Sequence, residues 1–265
     1  FVKSGGYVNR SYWTEAGWQW RTFRNVLFPT FWVPDGPVGL HEYRLRLIFD
    51  VVELPLSWPV DCNVHEAKAY CAWRSKLDQP AHPYRLITEG EHNAIRDAAM
   101  RDQSKGAKRD HVMAYDGFSM CNKSNGDHQY NSNLAYGSQS PVDAMRPSSS
   151  GFYDVFGNVW HWSEDDFNPL DGFQISYLYT DFSTPCLDGL HTMILGGSFI
   201  STGDEASVWS RFHFRPHFHQ HAGFRMVSGP NAPTLLPKQG TNGSSRGAAE
   251  DEPAAAEAVA VAEHM

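Results

Sequence analysis

The side chains best suited to chemistry lie in one short stretch, Arg211-Phe212-His213-Phe214-Arg215-Pro216-His217-Phe218-His219-Gln220-His221, which sets four histidines and two arginines within eleven positions. Pro216 and the aromatic neighbours make it extended, because proline lacks an amide donor and blocks the helical turn. In an extended segment His213, His217, His219 and His221 project partly to one face, where neutral imidazoles can hold a first-row metal. No carboxylate or cysteine accompanies them at ligand spacing. A second reading therefore stands beside the first, in which the histidines flank aromatic packing and hydrogen-bond to loop carbonyls. The four cysteines, Cys62, Cys71, Cys121 and Cys186, show no Cys-x-x-Cys spacing, which removes zinc-ribbon and thioredoxin chemistry and leaves buried, reduced thiols as the expectation.

Such groups need a scaffold, and 265 residues that are 41% hydrophobic and 14% aromatic supply ample material for a core. A net charge of −8 argues against nucleic acid, and no apolar stretch is long enough to cross a bilayer, so a cytoplasmic protein is expected. After the break at Pro55–Pro59, Asp61 is expected to cap a helix through Asn63, Glu66, Ala67, Ala69 and Trp73, with Val64, Ala67, Cys71 and Ala72 on its apolar stripe. Pro83–Leu86 reads as a short strand leading into a second helix capped by Thr88. The centre is Gly151–Trp162: Tyr153, Val155 and Val159 favour extended backbone, and Gly157-Asn158 reads as a turn of positive φ. A strand, a turn and a second strand anchored by Trp160 and Trp162 are expected there. Arg101–Ser150 is loop-like, and composition shifts after Val227, so a folded domain over 1–227 and a disordered tail over 228–265 are expected.

Gly157-Asn158-Val159-Trp160-His161-Trp162 resembles the Gly-Asn-Val-Trp-Glu-Trp signature of the formylglycine-generating-enzyme-like fold. Ile194-Leu195-Gly196-Gly197-Ser198-Phe199 and Gly223-Phe224-Arg225-Met226-Val227 are similar to that family's closing words. The resemblance covers Phe1 to Val227 and implies an α+β, C-type-lectin-like fold with little regular secondary structure, lacking at its start the first strand and helix of the family. Within the family, Asp181–Pro185, Gly196–Glu205 and Phe212–Arg225 are most similar to the sulfoxide synthases of ovothiol biosynthesis.

That similarity implies an oxygenase that joins the sulfur of cysteine to an imidazole carbon of histidine, with cysteine, histidine and O2 as its small-molecule partners. It also implies that Fe(II) is held by three histidines of an N-terminal helical domain outside this chain, and that the chain itself holds no metal or other cofactor. The isolated chain is then expected to show little activity. The segment before Gly-Phe-Arg would line the substrate pocket. Arg215 would grip a carboxylate with both arms of its guanidinium, and Phe212, His213, Phe214 and His217 would stack on and hydrogen-bond to an imidazole. Arg211 is left at the surface and Arg225 in the core's own salt bridge. Tyr179, with Tyr177 as alternative, would deliver a proton or hydrogen atom to oxygen.

Two departures narrow the family. Ser201 and Ala206 stand where formylglycine-generating enzymes proper carry two copper-binding cysteines, which excludes that thiolate chemistry. His161 replaces a glutamate that holds calcium in some members, so no calcium is expected there. The rival expectations are an ergothioneine-pathway synthase and a non-catalytic, lectin-like binding module.

Overall fold

A computed structural model of the chain describes residues 1–37, 39–103, 130–148, 150–178 and 184–229. Regular structure is sparse, as the resemblance implies, with three α-helices, three 3-10 turns and nine short strands among the described residues. Helix α1 spans Glu15–Arg24, with Thr14 accepting from the Gly17 amide. Helix α2 spans Val64–Asp78 and helix α3 spans Glu89–Gln103. Thr88 caps α3 as expected: its hydroxyl accepts from the Glu91 amide at 3.2 Å, while Glu91 accepts from the Thr88 amide at 2.9 Å.

The start of α2 differs from the sequence expectation. Asn63, not Asp61, is the cap, in a reciprocal pair where Asn63 Oδ1 accepts from the Glu66 amide and Glu66 Oε2 accepts from the Asn63 amide, both at 3.0 Å. Asp61 is instead drawn to His221, whose Nδ1 lies 2.9 Å from Asp61 Oδ2. Glu66 also accepts from Tyr7 Oη at 2.7 Å and is 3% exposed. Burial raises its carboxyl to about 7, against the opposing pull of the Asn63 amide and Tyr7 hydroxyl.

A carboxyl raised in the folded state contributes stability that is present below the unfolded value near 4.5 and is lost as pH climbs through about 7. Glu66→Gln keeps an acceptor for the Asn63 amide and a donor for Tyr7 but cannot ionise. It is therefore expected to match the parent near pH 4.5 and to exceed it by up to about 3 kcal/mol at pH 8. Thermal melts at the two pH values check this, and equal melting differences at both would refute it.

Strands β1 (Trp32–Pro34), β2 (Tyr43–Arg46) and β3 (Val51–Glu53) form an antiparallel meander. Strand β4 (Tyr84–Leu86) pairs antiparallel with β9 (Met226–Ser228). The main sheet has the order β7 (Arg211–Phe214), β6 (Thr192–Leu195), β5 (Trp160–Asp166), β8 (Ala222–Phe224), with β5 and β8 parallel. Trp160 and Trp162 of β5 lie in a core with Cys62, Val64, Ala67, Leu86 and Ile194, and Trp162 Nε1 donates to the Cys62 carbonyl at 2.8 Å.

Of the two strands expected around Gly157-Asn158, only the second forms. The turn itself has the expected left-handed backbone, with φ of 73° and 62°. Gly157 cannot be exchanged, since a Cβ there would lie 2.5 Å from the Asn131 carbonyl oxygen. The preceding residues are held by side chains rather than a strand partner. Asn158 Oδ1 accepts from the Ser140 amide at 2.9 Å, and its Nδ2 donates to the Ser140 carbonyl at 3.0 Å and to Asp154 Oδ2 at 2.8 Å.

Candidate functional site

Strand β7 is the edge of the main sheet, paired antiparallel with β6 so that His213 faces Met193 and Phe212 faces Ile194. Strand alternation divides its side chains between two faces. Phe212 and Phe214 stack on each other, ring centroids 6.4 Å apart, and pack against the tryptophan core. His213 lies on the opposite face, its ring 4.2 Å from that of Phe167 and 5.4 Å from that of His191. The expected substrate strip is thus split, with Phe212 and Phe214 anchoring the strand while His213 looks the other way.

The four histidines of the strip take four separate environments. His217 packs against Phe218 with the rings tilted, and His219 Nε2 lies 3.0 Å from the Thr30 hydroxyl. His221 sits between Phe31 and Phe199 with its nitrogen on Asp61. The one-face metal reading of these histidines is therefore replaced by local packing and hydrogen bonding.

Arg211, expected at the surface, forks Glu89 of α3, with Nε to Oε1 at 2.6 Å and Nη2 to Oε2 at 3.0 Å. Its Nη2 also donates to the Asn168 carbonyl at 3.0 Å. Arg225 donates to the carbonyls of Tyr153 and, at 2.8 Å, Asp154, so backbone oxygens receive the group expected in a salt bridge. Arg215 holds a carboxylate of this chain, with Nη2 3.1 Å from Asp188 Oδ2. Tyr177 is 87% exposed. Tyr179 lies outside the described residues, as does Cys121.

One grouping was not foreseen. Cys186, His191 and His213 bring one ligand atom each to within 4.8 Å of one another. Asp188 Oδ1 lies 2.9 Å from His191 Nδ1 while its other oxygen takes Arg215. Cys186 and His191 are five positions apart, and the turn between them folds back as β6 begins; the β6–β7 register then delivers His213. Along the sequence no cysteine accompanies the strip's histidines, whereas in space Cys186 meets His213. A Cys-x-x-x-x-His spacing closed by Asp-x-x-His was the available signal.

Burial, and then the neighbouring His191, lower the His213 imidazole below its ordinary value and favour the neutral form. His161, in the place of the family's glutamate, is buried beside His92 with ring centroids 5.6 Å apart. Burial holds both imidazoles neutral, His92 falling to about 3.

Among the described residues, Cys186, His191 and His213 are the only three possible ligands that converge in this way. A thiolate with two imidazoles does not match the three-histidine set that the resemblance implies for iron, so these residues do not fit that ion.

A poorly regular α+β scaffold, pinned by a Gly-Asn turn and two buried tryptophans, and carrying ligand-type side chains on one sheet edge, defines the class. Residues 1–230 match the sulfatase-modifying factor enzyme 1-like domain, and the chain belongs to that family. Hercynine oxygenase of Mycolicibacterium thermoresistibile is 29% identical over 220 residues, covering 77% of this chain and 42% of the relative. The hercynine oxygenase of Mycobacterium tuberculosis is 29% identical over 219 residues, covering 75% and 42%. The inactive C-alpha-formylglycine-generating enzyme 2 of Bos taurus is 28% identical over 220 residues, covering 77% and 58%. The chain thus spans less than half the length of these hercynine oxygenases. No helix among the described residues is long and apolar enough to cross a membrane.

Proposed function

We propose that this chain is the substrate-pocket portion of a dioxygen-dependent sulfoxide synthase that joins a thiol sulfur to an imidazole carbon. The observation that carries the reading is the similarity to two hercynine oxygenases over about three quarters of the chain. In this reaction one S–H and one imidazole C–H bond break, a C–S and an S=O bond form, and the second oxygen atom of O2 leaves in water. Ferrous iron would supply the oxygen chemistry and would be held by the portion of the enzyme that lies outside the match. Hercynine, named for the relatives, and histidine, implied by the ovothiol-type wording of Phe212–Arg225, are the two imidazole substrates to distinguish.

In this reading Arg215 serves the substrates, and Phe212 and Phe214 hold their strand on the core. Arg215, which meets Asp188 through Nη2 alone, would release it to grip an amino-acid carboxylate with both arms of the guanidinium. His217 would contribute from the turn after β7, and Tyr179 would deliver the proton or hydrogen atom.

The native polypeptide carrying this sequence, given ferrous iron, O2, cysteine and either histidine or hercynine, is expected to yield a coupled sulfoxide from one of the two, detected by mass. Absence of sulfoxide from both would overturn the proposal and favour a binding module.

A further inference from the structure

We infer that Cys186, His191 and His213 form a binding site for a zinc ion, which clamps the Thr184–His191 segment onto the edge strand β7. The inference stands on side-chain geometry and is independent of the proposed oxygen chemistry.

Three ligand atoms of the right chemistry lie within 4.8 Å of one another. Tetrahedral zinc with one sulfur and two nitrogen ligands sets their mutual separations at roughly 3.3–3.6 Å. The group therefore needs to draw in by about 1 Å, within the reach of small side-chain rotations. Cys186 has freedom to make that adjustment, since it is only half-buried at the end of a short 3-10 turn, Thr184–Cys186.

Donor identity narrows the metal to soft or borderline ions such as zinc and copper. A thiolate with two imidazoles suits zinc, whereas hard cations that prefer oxygen are poorly served. Three protein ligands leave a fourth position for water or a small solute, the arrangement of an open zinc site rather than a closed structural one.

The surroundings already hold the ligands in place. The Asp188 carboxylate on His191 Nδ1 leaves Nε2 as the nitrogen free to meet a metal, the usual outer partner of a ligating histidine. Without substrate, Arg215 on the second Asp188 oxygen fixes that carboxylate in turn. Phe167 under the His213 ring restricts its rotation. Phe167, Met193 and Leu195 line the apolar side on which Cys186 and Leu187 pack.

The test uses the full chain under reducing conditions, titrated with zinc by calorimetry and with cobalt(II) as an optical stand-in. One zinc per chain is expected. The cobalt form should show the intense visible bands of a tetrahedral site together with a sulfur-to-cobalt charge-transfer band. Cys186→Ala should abolish that band, His213→Ala should abolish tight zinc binding, and Asp188→Asn should weaken binding by about 10–100-fold. His217→Ala and His219→Ala should leave zinc and cobalt binding unchanged, which separates this site from adventitious binding along the histidine strip. Each variant is paired with a thermal melt. Should His213→Ala fail to fold, His191→Ala, at the sheet's margin, gives the same reading. Failure of the native chain to bind zinc, cobalt binding without the charge-transfer band, or affinity unchanged by Cys186→Ala would each overturn the assignment.

Discussion

Asn158→Ala is expected to destabilise the domain by roughly 3–5 kcal/mol, among the largest effects of any single substitution outside the apolar core. Asn158 is 1% exposed, and its amide is the only side-chain group spanning the Ser140 backbone and the Asp154 carboxylate among the described residues. Alanine would leave the Ser140 amide and carbonyl buried without these partners. It would also sit at φ 62°, where asparagine is tolerated and alanine is strained by about 1 kcal/mol. Asn158→Gly separates the two causes, because glycine relieves the backbone strain and leaves the hydrogen bonds lost. Urea unfolding of the three proteins should rank the parent above glycine and glycine above alanine. A loss below about 1 kcal/mol for alanine would show that the network contributes little.

Trp162→Ala is expected to cost about 4 kcal/mol and to lower the melting temperature by roughly 10 °C or more. Its side chain is fully buried, packs in the core cluster that holds Cys62, Leu86 and Ile194, and donates to a carbonyl one hundred residues away in sequence. Trp162→Phe keeps most of the apolar contact and loses the Cys62 bond, so roughly 1–2 kcal/mol is expected for the hydrogen bond and the smaller cavity together. Because β5 supports β6, and β6 supports β7, the alanine variant should also lose ordered binding at the β7 edge well below its unfolding midpoint. Calorimetric melting of the parent and both variants checks the ranking; alanine and phenylalanine variants of equal stability would refute it.

What could be read along the chain was what is fixed locally. The Gly157-Asn158 turn needs only two adjacent residues tolerant of positive φ, and the Thr88–Glu91 cap needs a hydroxyl and a carboxylate three positions apart. Asp61 was misplaced because Asn63, two residues later, supplies an equivalent capping oxygen, and the choice between them is made by His221. The histidine strip was legible as unusual and illegible as to use, since Thr30, Asp61 and His191 each claim a different imidazole from elsewhere in the chain. The Cys186–His191–His213 group exists only through the β6–β7 register, which composition does not encode.

The pairing of β4 with β9 joins Leu86 to Met226, and β5 meets its parallel neighbour β8 from Trp160 beside Ala222 to Trp162 beside Phe224. A ribosome emitting this chain therefore exposes the tryptophan-bearing strand and its apolar bed long before the covering strands emerge. Until then the nascent polypeptide carries a sticky, half-made sheet, and its yield in a cell should depend on chaperone protection during synthesis more than on the strength of the finished domain.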